Sequence, residues 1–168
     1  MIKVIGICCL FVGFCGVSIE KIKEEKDKIK TLEEIRNFVE YLIKEIEYSH
    51  IPIPDICKEY RGRSEGTFRV FLEQVCLKFE KYEGSSFEQI WDRETEDYSG
   101  WKEEKICLNS LGRCFGYANI GHQLSAIERC LREMEKRILH NEKKFQDNKK
   151  LILYFGVMSG LLLSIILL

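Results

Sequence analysis

Residues 31–46 read TLEEIRNFVEYLIKEI, and their apolar side chains recur at steps of three and four residues. This spacing places them on one face of an α-helix, as in the seam of a coiled coil. The seam comprises Leu32, Ile35, Val39, Leu42 and Ile46. The pattern predicts a long helix over about 20–49 whose apolar face packs against other helices.

Five further helices are predicted downstream. Proline occurs only at Pro52 and Pro54, and no long stretch alternates polar with apolar residues, which argues against strands. Pro54 suits the first turn of a second helix that ends near Gly62. A third helix, which ends near Gly84, has one wide apolar face: Phe68, Phe71, Leu72, Val75, Cys76 and Phe79.

The last three helices follow from caps and periodicity. Residues 85–89 offer a capping box for a fourth helix that carries Ile90 and Trp91. A fifth helix is predicted over about 101–115 and a sixth from Asn119 to about residue 149. The apolar residues of the sixth again step by four and three: Ile120, Leu124, Ile127, Leu131, Met134, Ile138 and Phe145. The predicted fold is therefore an all-α bundle of about six helices.

Both chain ends are apolar. Residues 1–19 carry one charge, on Lys3, and residues 151–168 carry none. Each stretch spans roughly 27 Å as a helix, just enough for a hydrocarbon core of about 30 Å. We predict a transmembrane helix at each end, flanking a helical domain at 20–150. Both stretches contain small residues that suit the packing of membrane helices: Gly6, Gly13, Gly156 and Gly160. Such residues are also common in membrane helices generally.

Lysines flank both apolar stretches on the side of the middle domain. They lie at 21, 23, 26, 28 and 30 and at 143, 144, 149 and 150. The positive-inside rule then predicts a cytosolic domain with both termini on the far side of the membrane. A cleaved signal peptide is the alternative for the first stretch, with residues 16–18 as its exit, although signal peptides carry their positive charge before the apolar stretch.

The sequence contains few groups arranged for chemistry. The formal net charge of −1 and the interspersed acids argue against nucleic acid. The acidic runs at 45–47 and 94–97 are expected to be exposed surface charges, because helix positions two apart point to different faces. His50, His122 and His140 have no partner at a catalytic spacing. We predict a non-enzymatic protein with no cofactor.

The five cysteines of the middle domain lack the spacing of a zinc site, so no metal is predicted. In a cytosolic domain their thiols stay reduced. Cys76, Cys107 and Cys114 fall on apolar helix faces, and we expect them to pack as small hydrophobic side chains.

Four stretches resemble the stage III sporulation protein AB family of spore-forming bacteria. They are EIEY at 45–48 followed by IPIP at 51–54, LNSLGRCFG at 108–116 with Gln123 after it, and YFGVMSGLLL at 154–163. The resemblance covers nearly the whole chain. Where the family usually has a Ser-Asp pair, this chain has Tyr-Ala-Asn at 117–119, and Asn119 can still cap the sixth helix.

The resemblance implies a role in the secretion-like apparatus that connects mother cell and forespore after engulfment. The protein would lie in the mother-cell membrane that faces the forespore. The family is in turn similar to the F-type platform of type II secretion and pilus machines. By that analogy the protein would be a scaffold that couples a cytosolic ATPase, stage III sporulation protein AA, to other stage III sporulation membrane proteins. Homo-oligomerisation is left open.

The positions that match the family pattern are the candidate sites. Gly112 and Gly116 are predicted to serve helix packing. The predicted partner-binding residues are Glu45, Glu47, Tyr48 and Gln123. Tyr48 and Gln123 fit a packing role equally well.

Two other functions remain as alternatives. One is a general pilus or secretion platform, but such platforms have two helical bundles and this chain has room for one. The other is an exported, membrane-tethered helical interaction domain whose signal peptide is cleaved.

Overall fold

The computed structural model of the chain is built from helices. It describes the backbone of residues 2–81 and 84–167, and the side chains of residues 19–81 and 84–151 together with Tyr154 and Met158. Within these ranges the regular elements are α1 (Ile2–Lys44) continued by a π-helical segment (Glu45–Ser49), α2 (Ile53–Arg61), α3 (Gly66–Lys81), α4 (Phe87–Asp97), α5 (Lys102–Phe115) and α6 (Ile120–Leu167). The predicted all-α fold and its number of helices are confirmed for the described residues.

The chain divides into two compact units. The terminal unit comprises Met1–Ile29 and Leu139–Leu168, and the bundle unit comprises Lys30–Ile138. In the terminal unit Lys28 pairs with Glu24 at 3.5 Å and with Glu25 at 2.9 Å, one turn earlier in α1. Such exposed pairs stabilise a helix by only about 0.2–0.5 kcal/mol each.

No helix in the described part of the chain is long and apolar enough to cross a membrane. The predicted spans, 1–19 and 151–168, consist largely of residues whose side chains lie outside that part. Both spans therefore stay predictions. The same holds for the glycines assigned to membrane-helix packing, Gly6, Gly13, Gly156 and Gly160.

The seam of α1 lies in the core of the bundle unit, as predicted. Leu32, Ile35, Val39, Leu42 and Ile46 are all buried. The seam pattern omitted the fully buried residue at position 38, a phenylalanine, because the core contacts α1 over a wider face than a single seam.

The apolar stripe of α6 is confirmed within the bundle unit, with one exception. Ile127, Met134 and Ile138 are buried, and Leu124 and Leu131 pack partly against the core. The exception is the first residue of the stripe, at position 120, which is 60% exposed. It occupies the first turn of the helix, which the core does not cover.

The indole of Trp91 in α4 lies at the centre of an aromatic cluster. Its ring is fully buried and meets Phe71 of α3 and Phe115 of α5 edge to face, with centroids 4.8 and 4.9 Å away. Phe38 of α1 stacks nearly parallel to it at 6.2 Å. The indole N–H donates to the carbonyl oxygen of Leu108 at 2.9 Å. One side chain thus contacts α1, α3 and α5, and its burial contributes about 5 kcal/mol of transfer free energy.

Two predicted helix caps are present. Ser86 Oγ accepts a hydrogen bond from the backbone N–H of Gln89 at 3.2 Å, and Gln89 Oε1 accepts one from the N–H of Ser86 at 3.3 Å. At the start of α6, Asn119 Oδ1 accepts from the N–H groups of Gly121 and His122 at 2.9 and 3.2 Å. Each cap satisfies N–H groups that have no partner within the helix, and is typically worth about 1 kcal/mol.

α4 and α5 approach each other closely at two glycines, one within α5 and one directly after it. A Cβ atom at Gly112 would lie 2.6 Å from Trp91 Cδ1 and 2.8 Å from Asp92 Oδ1. A Cβ atom at Gly116 would collide with the carboxylate of Glu88. The φ angle of Gly116 is an ordinary −77°, and the flexible Glu88 side chain can move aside at little cost, so glycine is less strongly required here than at Gly112.

The five cysteines of the bundle unit are buried free thiols: Cys57, Cys76, Cys107, Cys114 and Cys130. Cys76, Cys107 and Cys114 are thus buried on the apolar helix faces, as predicted.

Gly112→Ala is expected to lower the free energy of unfolding by about 1–3 kcal/mol, because the indole of Trp91 must shift to admit the methyl group. Gly62→Ala is the matched control. Gly62 has a helical φ of −68°, and a Cβ there would meet only the Glu59 carbonyl oxygen at 3.6 Å. The control should be neutral or stabilising by up to about 1 kcal/mol.

Urea denaturation followed by circular dichroism measures both variants. Equal unfolding free energies for Gly112→Ala and Gly62→Ala would contradict the close contact between α4 and α5.

Candidate functional site

The corner between α1 and α2 carries three of the four predicted partner-binding residues. Here α1 widens into the π-helical segment Glu45–Ser49, and His50 then adopts left-handed angles of φ 51° and ψ 30°. The Nδ1 atom of His50 lies 3.1 Å from the carbonyl oxygen of Ile46. π-helical segments are rare and occur often at functional sites, and non-glycine residues in the left-handed region are uncommon. The unusual backbone therefore coincides with the EIEY motif.

The prolines of the IPIP motif explain where α1 ends and α2 begins. A proline at position 52 disfavours a helical residue before it and offers no N–H, so α1 cannot continue. Pro52 is extended, with φ −60° and ψ 141°, and its carbonyl accepts the N–H groups of Asp55 and Ile56 at 3.0 and 3.2 Å. Pro54 occupies the first turn of α2, where its missing N–H costs nothing.

The side chains of this corner point to solvent around one buried anchor. Tyr48 is 79% exposed, Glu47 is exposed and Glu45 is half-buried, whereas Ile46 is buried in the core. We call Glu45, Glu47 and Tyr48 the corner surface. It presents two carboxylates and a phenol on a segment that the core holds through Ile46, and its charge complements that of a basic partner.

A polar cluster next to the corner surface was missed by the sequence analysis. The Arg63 guanidinium lies 4.9 Å from the centre of the Tyr41 ring and pairs with Glu59 at 2.8 Å. Burial, a hydrogen bond to Glu59 and the charge of Glu45 raise the pKa of Tyr41 to about 12. The neutral phenol therefore joins α1 to α2 beside the corner surface. The i, i+4 spacing of Glu59 and Arg63 was visible, but their contact with Tyr41 is tertiary.

The fourth predicted partner-binding residue, Gln123, lies at the junction of α5 and α6. Its Nε2 group donates to the carbonyl oxygens of Cys114 and Phe115, both at 3.3 Å. These carbonyls belong to the last turn of α5 and have no partner within that helix. Gln123 thus caps α5 from α6, and among the described residues no hydrogen bond or ion pair joins it to the corner surface.

The prediction that the acidic run 94–97 is exposed is wrong for Glu94. Glu94 is 6% exposed and forms an ion pair with Lys78 of α3, whereas Glu96 and Asp97 are exposed. The reason is helical periodicity: Glu94 lies three residues after Trp91, on the face of α4 that packs against the core. The three carboxylates do not converge, so they form no acid/base pair.

A buried carboxylate at Glu104 was also missed. Glu104 is 1% exposed, and its Oε2 atom accepts hydrogen bonds from the Tyr98 hydroxyl at 2.9 Å and the Trp101 backbone N–H at 3.0 Å. Desolvation raises the pKa of Glu104 above its ordinary value of 4.5, although these hydrogen bonds and one to Thr31 oppose the shift. The Trp101–Glu104 spacing is that of a capping box, but a capping box normally begins with serine or threonine, so the sequence pattern did not indicate one here.

In the described part of the chain, no group of three or more His, Cys, Asp or Glu side chains is arranged to hold a metal ion.

The model of the family described as stage III sporulation protein AB matches residues 3–168. The chain belongs to this family. The match confirms the resemblance inferred from the motifs at 45–54 and 108–116. Membership supports a role in sporulation.

A solved structure titled "Stage III sporulation protein AB (SpoIIIAB)" has a similar fold, with a TM-score of 0.64 and 17% sequence identity. The alignment covers 71% of this chain and 97% of that one. At this identity the likeness concerns the fold alone. Comparison with curated proteins gives no match.

Glu104→Gln is expected to gain stability relative to the wild type as the pH rises above about 4.5, the ordinary pKa of a glutamate. The raised pKa of Glu104 means that the folded state holds this proton more tightly than the unfolded state does. Between the two pKa values folding takes up a proton, so the wild type loses stability as the pH increases through this window. Glutamine retains an acceptor for Tyr98 and does not titrate.

Urea denaturation at a series of pH values measures this trend, with Glu103→Gln as the control for removing one charge from the same turn of α5. A free-energy difference between Glu104→Gln and the wild type that does not vary with pH would contradict the assignment.

Proposed function

We propose that this protein is a non-enzymatic membrane scaffold of the secretion-like apparatus that joins mother cell and forespore. Family membership supports the link to sporulation. The apolar stretches at 1–19 and 151–168, and the lysines on their inner sides, support a membrane protein whose bundle unit lies in the cytosol. The scaffold would couple the cytosolic ATPase, stage III sporulation protein AA, to other stage III sporulation membrane proteins.

The observation that supports this proposal best is the corner surface. Tyr48 leaves most of its ring in solvent, while its neighbour Ile46 is buried. An exposed aromatic ring is a frequent centre of protein interfaces, and a segment already held in place loses little conformational entropy on binding. The carboxylates of Glu45 and Glu47 would pair with basic side chains of the ATPase and orient it.

Tyr41, Glu59 and Arg63 would act as positioning residues. Their ion pair and ring contact link α2 to the end of α1, directly before the π-helical segment. They would keep the corner surface in one conformation while the ATPase changes its own. The exposed charges of this cluster contribute little to global stability, so the role concerns geometry.

The sporulation role is tested by a clean deletion in a spore-forming host, complemented with the full-length chain. A membrane dye followed by fluorescence microscopy should show that engulfment completes and that forespores then shrink. Normal spore numbers in the deletion strain would overturn the proposal. Protease treatment of intact cells tests the topology, and digestion of the bundle unit from outside would exclude a cytosolic domain.

Tyr48→Ala is expected to weaken binding of the ATPase at least about fivefold, which corresponds to roughly 1 kcal/mol. Glu47→Lys should weaken it further at low salt, because charge reversal turns attraction into repulsion. Val70→Ala is the matched control, since Val70 is an exposed apolar residue, 56% accessible, on α3.

Isothermal titration of the full-length variants with the ATPase measures these affinities, with circular dichroism as the check on folding. If Tyr48→Ala and Val70→Ala bind the ATPase equally well, the corner surface is not the contact, whatever the deletion strain shows.

A further inference from the structure

A cavity of about 370 Å³ lies between α5 and α6, and its wall contains three thiols. Cys107 and Cys114 come from α5, and Cys130 comes from α6. All three are buried as residues, yet they line a space large enough for a small ligand. Nothing in the scaffold role described above uses this cavity.

Two of the thiols form a hydrogen-bonded pair across the helices. Cys130 donates to Cys114, whose own thiol donates to the Ser110 carbonyl oxygen at 3.3 Å. The bond from Cys130 lowers the pKa of the Cys114 thiol, and the charge of Arg129 acts in the same direction. The same bond, together with burial, raises the pKa of Cys130. Burial raises the pKa of Cys107 to about 11. Cys114 is therefore the thiol that ionises first.

The charges around the cavity favour an anion. Arg113 of α5 and Arg129 and Arg137 of α6 line it, and Glu133 is the acidic residue in the same lining. Three guanidinium groups against one carboxylate leave the cavity positively charged, although the whole chain has a net charge of −1. Guanidinium groups bind carboxylates with two parallel hydrogen bonds.

We propose that Cys114 and Cys130 form a thiol–disulfide exchange site for an anionic low-molecular-weight disulfide. The Cys114 thiolate attacks one sulfur of the small disulfide, and a thiolate leaves, so that a mixed disulfide forms. Cys130 then gives up its proton and attacks the Cys114 sulfur, and a second thiolate leaves. Two cysteine thiols are oxidised to one disulfide, and one small disulfide is reduced to two thiols.

The new bond would join α5 to α6 around residues 115–129. This segment contains Gln123, which caps the end of α5, and Asn119, which caps the start of α6. Oxidation would therefore hold the junction of the two helices more tightly.

Cys57 supplies an internal comparison. It is fully buried in α2, and burial raises its pKa well above that of an ordinary thiol. It does not line the α5–α6 cavity. A disulfide that reacts through the cavity should therefore spare Cys57, whereas one that reacts with the unfolded chain would modify both.

The test uses the reduced full-length chain and two probes of opposite charge. Glutathione disulfide carries carboxylates, and cystamine is a cationic disulfide. Intact mass and peptide mapping follow each reaction. Glutathione disulfide should react about tenfold or more faster at Cys114 than cystamine does, relative to their rates with free cysteine. The product should be a Cys114–Cys130 disulfide with a raised thermal midpoint.

Variants separate the steps of the reaction. Cys130→Ser should stop at a mixed disulfide on Cys114. Arg113→Gln with Arg129→Gln, both at exposed positions that leave the core intact, should abolish the preference for glutathione disulfide. Modification of Cys57 at the same rate as Cys114, equal normalised rates for the two probes, or a wild-type product that stays a mixed disulfide would each overturn the proposal.

Discussion

Burial of the Trp91 indole is the constraint on which the bundle unit depends. A buried N–H without an acceptor costs about 1–3 kcal/mol, so the indole needs the Leu108 carbonyl at 2.9 Å. That hydrogen bond brings α5 close to α4, and only glycine at position 112 leaves room for the ring. Phe38 and Phe71 close the remaining sides from α1 and α3. Four helices are thus oriented by the requirements of one side chain.

The two buried carboxylates of the bundle unit also have partners. Glu104 accepts hydrogen bonds from Tyr98 and Trp101, and Glu94 pairs with Lys78 at the edge of α3. Each buried carboxylate therefore has partners that offset part of its desolvation. Glu94 joins α4 to α3, and Glu104 joins the start of α5 to the residue that ends α4. The two carboxylates thus stabilise contacts between helices.

The two candidate functional features of the bundle unit differ in charge and in chemistry. The corner surface is acidic, exposed and built on an unusual turn of backbone, so it is suited to a protein partner. The α5–α6 cavity is basic and contains a thiol pair, so it is suited to a small anion that exchanges disulfides. The corner surface lies in the stretch 45–54 that carries the family resemblance, whereas the thiol pair takes Cys114 from the stretch 108–116 and Cys130 from α6 outside it. The two features can be tested separately.

The sequence by itself determined the helices, their caps and most of the core, because period and capping are local properties of the chain. Ser86, Asn119 and the α1 seam show this directly. Only the tertiary structure decided the burial of Glu94 and Glu104, since both depend on which helix packs against which face. The π-helical corner and the thiol pair of Cys114 and Cys130 belong to the same class. They arise from backbone geometry and from contacts between helices, which residue spacing alone does not encode.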